Sequence, residues 1–246
     1  MKATSLEFRF RYLLHLVIYA IGFTAPWNLF LHYDTIRTWQ LLAATLARAG
    51  WLGFSAATVG VLGAGIALAF VAAAVRTWAA AYLGDAVAHD GRLVGDSVVA
   101  SGPYRYVRHP LYLGAMLHTL ALVLLMPPTG AVFSIVATAV LLLRLIGAEE
   151  AFLTARLGES YAAYRAKVPS LLPGLRPGLR PSLRAQVQAS TVRPRWVTAF
   201  AGEIYMWGAA ASFACLGWRY NAQLVLQGVI VALGVALVAR AFLPKR

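Results

Sequence analysis

Six apolar runs, of sixteen to twenty-four residues each, restrict this chain's fold more than any other feature: 13–31, 52–75, 111–126, 130–147, 196–218 and 222–242. Lipid offers a backbone amide no partner, so a segment that crosses it closes its own hydrogen bonds as a helix. A bilayer core of ~30 Å takes about 20 residues in that form. The two shorter runs, 111–126 and 130–147, are separated by Pro127, Pro128 and Thr129, a turn too short to cross anything. They therefore form a helical hairpin. The expectation is an all-α, polytopic integral membrane protein of about six helices, with the hairpin 111–147 at its core.

The rest of the composition agrees. Apolar residues make up 60% and charged residues 13%, against roughly 45–50% and about 25% in an average soluble domain. The formal charge is nevertheless +13. In so apolar a chain that charge suits the anionic head groups of a bilayer and not nucleic acid. Seven Trp and eleven Tyr suit the two membrane borders, while a single cysteine, Cys215, allows neither an internal disulfide nor a thiolate metal site. With the N-terminus inside, the cytoplasmic segments hold eighteen Lys and Arg against three (Arg37, Arg48 and Arg219) outside. Basic residues are retained on the inner side, which places both termini in the cytoplasm. The expected location is a bacterial inner membrane.

This topology divides the chain into N-terminal helices (1–75), a core (76–173), a Pro-rich basic strap (174–195) and a C-terminal helix pair (196–246). In the strap, Leu-Arg-Pro-small repeats from Leu175 to Arg184 place proline too often for a helix. Either it lies along the inner leaflet with its arginines on phosphates, or it is a solvated linker. The outer connections are short or bland, which leaves 76–110 and 148–195 to carry chemistry.

Ser101 to Gly114 reads Ser-Gly-Pro-Tyr-Arg-Tyr-Val-Arg-His-Pro-Leu-Tyr-Leu-Gly. Gly102 and Pro103 make a turn, and Pro110 suits the first position of a helix, where its missing N–H costs nothing. Arg105, Arg108 and His109 gather before that helix N-terminus, whose free amides and dipole favour an anion. Tyr104 and Tyr106 add faces for a planar base, and Gly114 allows close approach of a ligand or a second helix. A basic-aromatic helix anchor explains the same residues without a ligand. Glu149 and Glu150 oppose the dipole if the fourth helix stops at the membrane. The conflict eases if the helix continues to Leu157 and stops at Gly158, bringing the pair level with Arg108 and His109. The pair could accept from a ribose diol, or could simply neutralise nearby arginines. A short helix over 159–167 then presents Tyr161 and Tyr164 on one face.

Gly102-Pro-Tyr-Arg-Tyr-Val-Arg-His-Pro-Leu-Tyr-Leu-Gly114, a hairpin, and Glu149-Glu-x-x-Leu-x-x-x-x-Gly-x-x-Tyr-x-x-Tyr-x-x-x-Val-Pro169 together resemble the isoprenylcysteine carboxyl methyltransferase family, a relative of the phospholipid N-methyltransferases. The likeness runs from Arg76-Thr-Trp-Ala through Leu83-Gly84 to Pro173, 98 residues of 246. It implies a membrane methyltransferase that uses S-adenosyl-L-methionine at the cytoplasmic face. Cofactor contacts would fall on Tyr104, Tyr106, Val107, Arg108, His109, Tyr112, His118, Glu149 and Glu150. The acceptor would be a lipophilic molecule, with carboxylate O-methylation the favoured chemistry. Relatives often carry an arginine one turn before the Glu pair. Here Arg144 stands five residues before Glu149, so its facing is open.

Arg144 and Glu203 are the acceptor-site candidates. Glu203 lies inside the fifth run, where a charge is costly, and could bind the acceptor, pair with Arg144 or be neutral. His15 reads as interfacial and inert. Gly60, Gly63 and Gly65 read as close helix packing. An NADPH-dependent membrane reductase of related architecture is the alternative enzyme. A transporter or scaffold is the non-enzymatic alternative, although neither internal repeats nor paired broken helices occur. The sequence carries no signal for oligomeric state.

Overall fold

The computed structural model describes residues 2–25, 36–83, 98–172 and 193–217, with seven further helical positions between 227 and 238. Among the described residues every regular element is a helix. In chain order they are α1 (Ser5–Arg9), α2 (Arg11–Thr24), α3 (Thr38–Arg48), α4 (Phe54–Leu83), α5 (Pro110–Leu122), α6 (Pro128–Lys167), α7 (Trp196–Gly202) and α8 (Ile204–Gly217). A 3₁₀ turn, Gly102–Arg105, precedes α5 and another, Val123–Leu125, extends it. The expected strap up to residue 192, the last run (222–242, apart from the positions noted above) and residues 84–97 lie outside the described residues.

Local chemistry sets the helix ends. Thr4 and Glu7 form a reciprocal cap on α1: the Thr4 amide donates to Glu7 Oε2 at 2.7 Å and the Glu7 amide to Thr4 Oγ1 at 3.2 Å. Pro110 and Pro128 open α5 and α6 at positions that need no donor. The hairpin therefore forms as expected, but its second arm is 40 residues long, about 60 Å and twice a bilayer core. It is interrupted only at Gly158, whose φ of 52° and ψ of −126° end the first segment where the sequence predicts a stop. The first arm of this helix leaves Val132, Val136, Val140 and Leu143 exposed along one side, as a helix facing lipid would.

Among the described residues two helices, α4 and α6, are long and apolar enough to cross a membrane. The first run begins earlier than expected and its helix, α2, closes after 14 residues at Thr24. The outer connection after it is not bland. Helix α3 packs on α4 through the buried Trp39 and Ala43, and the Thr38 amide donates to the Met126 carbonyl at 2.9 Å.

The helix expected over 52–75 extends to Leu83, which moves Arg76 from a cytoplasmic segment into the middle of a buried helix face. There it meets Glu203, where the fifth run breaks between α7 and α8. Arg76 Nε and Nη2 donate to Glu203 Oε2 and Oε1 at 2.7 and 2.8 Å, and Glu203 is fully buried. The pairing of Glu203 with Arg144 is thus not found. Arg144 instead donates to Glu7 at 3.0 and 2.8 Å, fastening α1 to α6.

Gly114 makes room for this pair, since a Cβ there would lie 2.4 Å from Arg76 Cγ. Its use is a close helix approach. Of the glycines in α4 only Gly65 packs tightly, against Leu124 and Phe213, whereas Gly60 and Gly63 face open space. Because a buried charge without its partner is far costlier than the pair's net worth, Glu203→Ala should destabilise the protein by about 3–5 kcal/mol. Arg76→Met with Glu203→Met should recover most of that loss. Chemical denaturation in micelles checks both.

Candidate functional site

The site is built where the long α6 passes the turn that leads into α5. Gly102 adopts φ 55°, a left-handed conformation that favours glycine, and a Cβ there would meet the Tyr82 ring at 2.5 Å. This seats the turn on α4 and buries Tyr104, Val107 and His109. From the other side, Tyr161 and Tyr164 pack against Val98, Ala100 and Val168, as their shared face predicts, and the Tyr164 hydroxyl donates to the Tyr104 carbonyl at 2.7 Å. The chain then returns past the turn, with the Arg108 and His109 amides donating to the Pro169 and Ser170 carbonyls at 2.8 and 3.1 Å. Those two amides ahead of α5, expected to be open to an anion, are therefore occupied.

The two predicted constellations meet. Arg108 donates through Nε and Nη2 to Glu150 Oε1 at 3.0 and 2.6 Å. His109 Nε2 stands 3.2 Å from the same oxygen, and its Nδ1 stands 3.7 Å from Glu149 Oε2. The Tyr112 ring stacks on His109 at 5.7 Å, with its hydroxyl in reach of Glu149.

The carboxylates differ in what is left to them. Glu150 also lies 3.5 Å from Arg165 and is 13% exposed, so it acts as a clamp. Arg108, which further donates to the Arg165 and Val168 carbonyls, belongs to the same clamp. Glu149 keeps 31% of its side chain accessible and is the carboxylate open to a ligand.

Two buried polar atoms of the turn lack a hydrogen-bond partner, the Tyr104 hydroxyl and Arg105 Nε, and Tyr104 is close enough to Glu149 to feel its charge. Burial pushes the Tyr104 phenol well above its ordinary range, which keeps it a neutral donor. Tyr106 packs its ring 6.2 Å from Trp78, forming an aromatic wall at the edge. His118 is buried elsewhere, nine residues past His109 and about 13 Å farther along the helix. Sequence reasoning missed the Pro169–Ser170 return, because backbone carbonyl acceptors leave no residue-type signal.

Burial opposes a charge on His109, but hydrogen bonds to Glu149 and Glu150 outweigh it and raise the ring's pKa. Hydrogen bonds from His109 and Arg108 hold the Glu150 carboxyl at about 2.

Residues 65–155 match the Isoprenylcysteine carboxyl methyltransferase (ICMT) family. The match supports an ICMT-family assignment, in agreement with the sequence resemblance, and covers a little over a third of the chain. It takes in the turn, α5 and the Glu pair, and it excludes α1, α2, α7 and α8. No curated protein and no solved structure matches the chain.

The clamp makes this ICMT-like core pH-sensitive in a defined way. The raised pKa of His109 gives stability that is complete below the unfolded value of about 6.5 and lost as pH climbs through the folded value. The depressed pKa of Glu150 gives stability that is complete above about 4.5 and lost as pH falls towards 2. Thermal unfolding in micelles should therefore show its highest midpoint between these limits. His109→Gln should flatten the alkaline decline and lessen the acid one, because His109 is the largest cause of the low Glu150 value. Glu150→Gln should lower the midpoint between these limits, by about 2 kcal/mol of stability, and remove the acid decline.

Proposed function

We propose that the protein is an S-adenosyl-L-methionine-dependent methyltransferase that acts on a lipophilic acceptor within the membrane. The observation that carries this reading is His109 held between Glu149 and Glu150, which brings two distant stretches of chain together at one place. The donor set fits the cofactor. Glu149 offers acceptors to a ribose diol or an ammonium group, and the orphaned Arg105 Nε and Tyr104 hydroxyl offer donors to a carboxylate. The His109–Tyr112 stack and the Tyr106–Trp78 wall offer faces to adenine. Arg108 and Glu150 frame the site, leaving Val107 as buried packing beneath it and His118 outside the first contact.

When bound, this cofactor supplies an electrophilic methyl on a sulfonium, so the chain's own task is alignment and exclusion of water. Glu149 and Tyr112 orient, the clamp keeps the turn closed, and the apolar hairpin keeps the far side dry. A polar cofactor reaches such a site from the cytoplasm and a lipid-soluble acceptor from the inner leaflet, which gives a reason to embed the enzyme. The same reading holds the full topology, six spans with both ends cytoplasmic in a bacterial inner membrane.

Arg144 and Glu203, the expected acceptor contacts, are each engaged by another partner, which favours structural roles for both. Titration calorimetry on purified protein tests the function. S-adenosylhomocysteine should bind and NADPH should not. Glu149→Gln should weaken binding about tenfold or more, the loss of one charge-assisted hydrogen bond, while the protein stays folded. Binding of NADPH in place of S-adenosylhomocysteine would make the reductase reading the correct one.

A further inference from the structure

Helix α2 lies outside the matched family region, yet it carries a polar face towards α5. Tyr12, His15 and Tyr19 recur at helical spacing, and α2 leans on α6 instead of packing along α4. The Arg76 guanidinium is close enough to act electrostatically on Tyr12, His15, Tyr19 and His118. Arg11, one turn before His15, likewise acts on Tyr112 and Glu149. A polar seam thus runs from the proposed cofactor site at Glu149 inward between α2 and α5. His15 is part of it and is not an inert border residue.

The seam's hydrogen-bonding polarity can be read from its protons. His15 Nδ1 lies 2.9 Å from the Arg11 carbonyl, which can only accept, so this nitrogen carries the proton. In the neutral ring Nε2 is then a bare lone pair, and it is buried without a partner. The Thr119 hydroxyl donates to the Ala115 carbonyl at 3.0 Å, so in its 2.8 Å contact with Tyr19 the tyrosine is the donor. The Tyr19 oxygen keeps only acceptor capacity. His15 and His118 rings stand 6.3 and 6.1 Å from that of Tyr19, and His118 Nδ1 is also buried without a partner. A buried acceptor left unmatched is costly, because it has given up its bond to water. A ligand that brings a donor removes that cost, and a carboxylate adds a further acceptor.

We propose that this seam is the acceptor subsite and that it takes a lipophilic molecule whose polar head donates a hydrogen bond to His15 Nε2. The head group is an amine, hydroxyl or thiol, and not the carboxylate that the family resemblance favours. The inference rests on the methyltransferase reading for the word acceptor, but not for the binding itself.

The test uses the full chain in nanodiscs, with dodecan-1-ol, its methyl ether and dodecanoate at equal mole fraction in the bilayer. Nitrogen NMR of histidine-labelled protein reads the His15 Nε2 resonance, assigned with His15→Phe. The alcohol should shift that resonance and bind about tenfold more tightly than the ether, the effect of one buried hydrogen bond. His15→Phe should abolish the preference. Equal binding of alcohol and ether, tightest binding by dodecanoate, or an unmoved His15 resonance overturns the proposal. The wild-type comparison decides even if His15→Phe does not fold, and Tyr19→Phe, which should lessen the preference, gives a second variant. S-adenosylhomocysteine titrated into the same samples separates the two readings. Its binding without an alcohol preference removes the subsite alone, and an alcohol preference without its binding keeps the subsite and removes the methyl transfer.

Discussion

Glu150 takes the Arg108 guanidinium and the His109 ring on one oxygen, and the geometry of the site follows from that shared contact. It fixes the height at which α6 passes the turn before α5, and so the height at which Glu149 is presented. The contact requires α6 to continue as one helix well beyond the apolar hairpin, which also removes the Glu pair from a helix C-terminus, where the dipole would oppose it. It also requires the segment after Gly158 to fold back, so that the carbonyls of Arg165, Val168, Pro169 and Ser170 receive the protons of Arg108 and the two backbone amides. A partly buried cation with nearly all its donors engaged is a structural element first. Glu149, one residue earlier and less encumbered, is the group such a frame positions.

Charge is handled the same way elsewhere. Arg76, counted for topology on the inner side, and Arg144, which stands within the fourth run, are not solvated markers of an inner border. Arg76 holds the break between α7 and α8 against α4, together with the Trp207 indole, which donates to Thr77 at 3.0 Å. Arg144 holds α1 against α6. Each ion pair joins a segment outside the matched family region to a helix within it. The N-terminal and C-terminal helices are therefore bound to the core by specific contacts, and α2 brings its polar face to α5 as a consequence.

Much of this was legible in the residues. Pro127 and Pro128 gave the hairpin, Gly158 the helix stop, and Tyr161 with Tyr164 the buried face, because each depends on local backbone chemistry. The meeting of His109 with the Glu pair was legible because two helices joined by a tight turn share their far end. What was not legible depends on long-range partners. Arg76 read as a loop residue because hydropathy stops at a charge even where the helix does not, and only Glu203, 127 residues later, explains its burial. His15 read as inert because a lone histidine near a helix start shows neither its tautomer nor its neighbours. Gly60 and Gly63 read as packing because a small side chain looks the same against a helix or against lipid.

The central claim is that residues 104–112 and the α6 segment 146–153 meet around one ligand on one face of the membrane. Amide hydrogen exchange in nanodiscs, with and without S-adenosylhomocysteine, tests it most directly. The ligand should slow exchange in both stretches together, over the same concentration range, while the exposed end of α3 is unaffected. Protection of one stretch without the other at saturating ligand, or protection confined to α3 or α8, would contradict it.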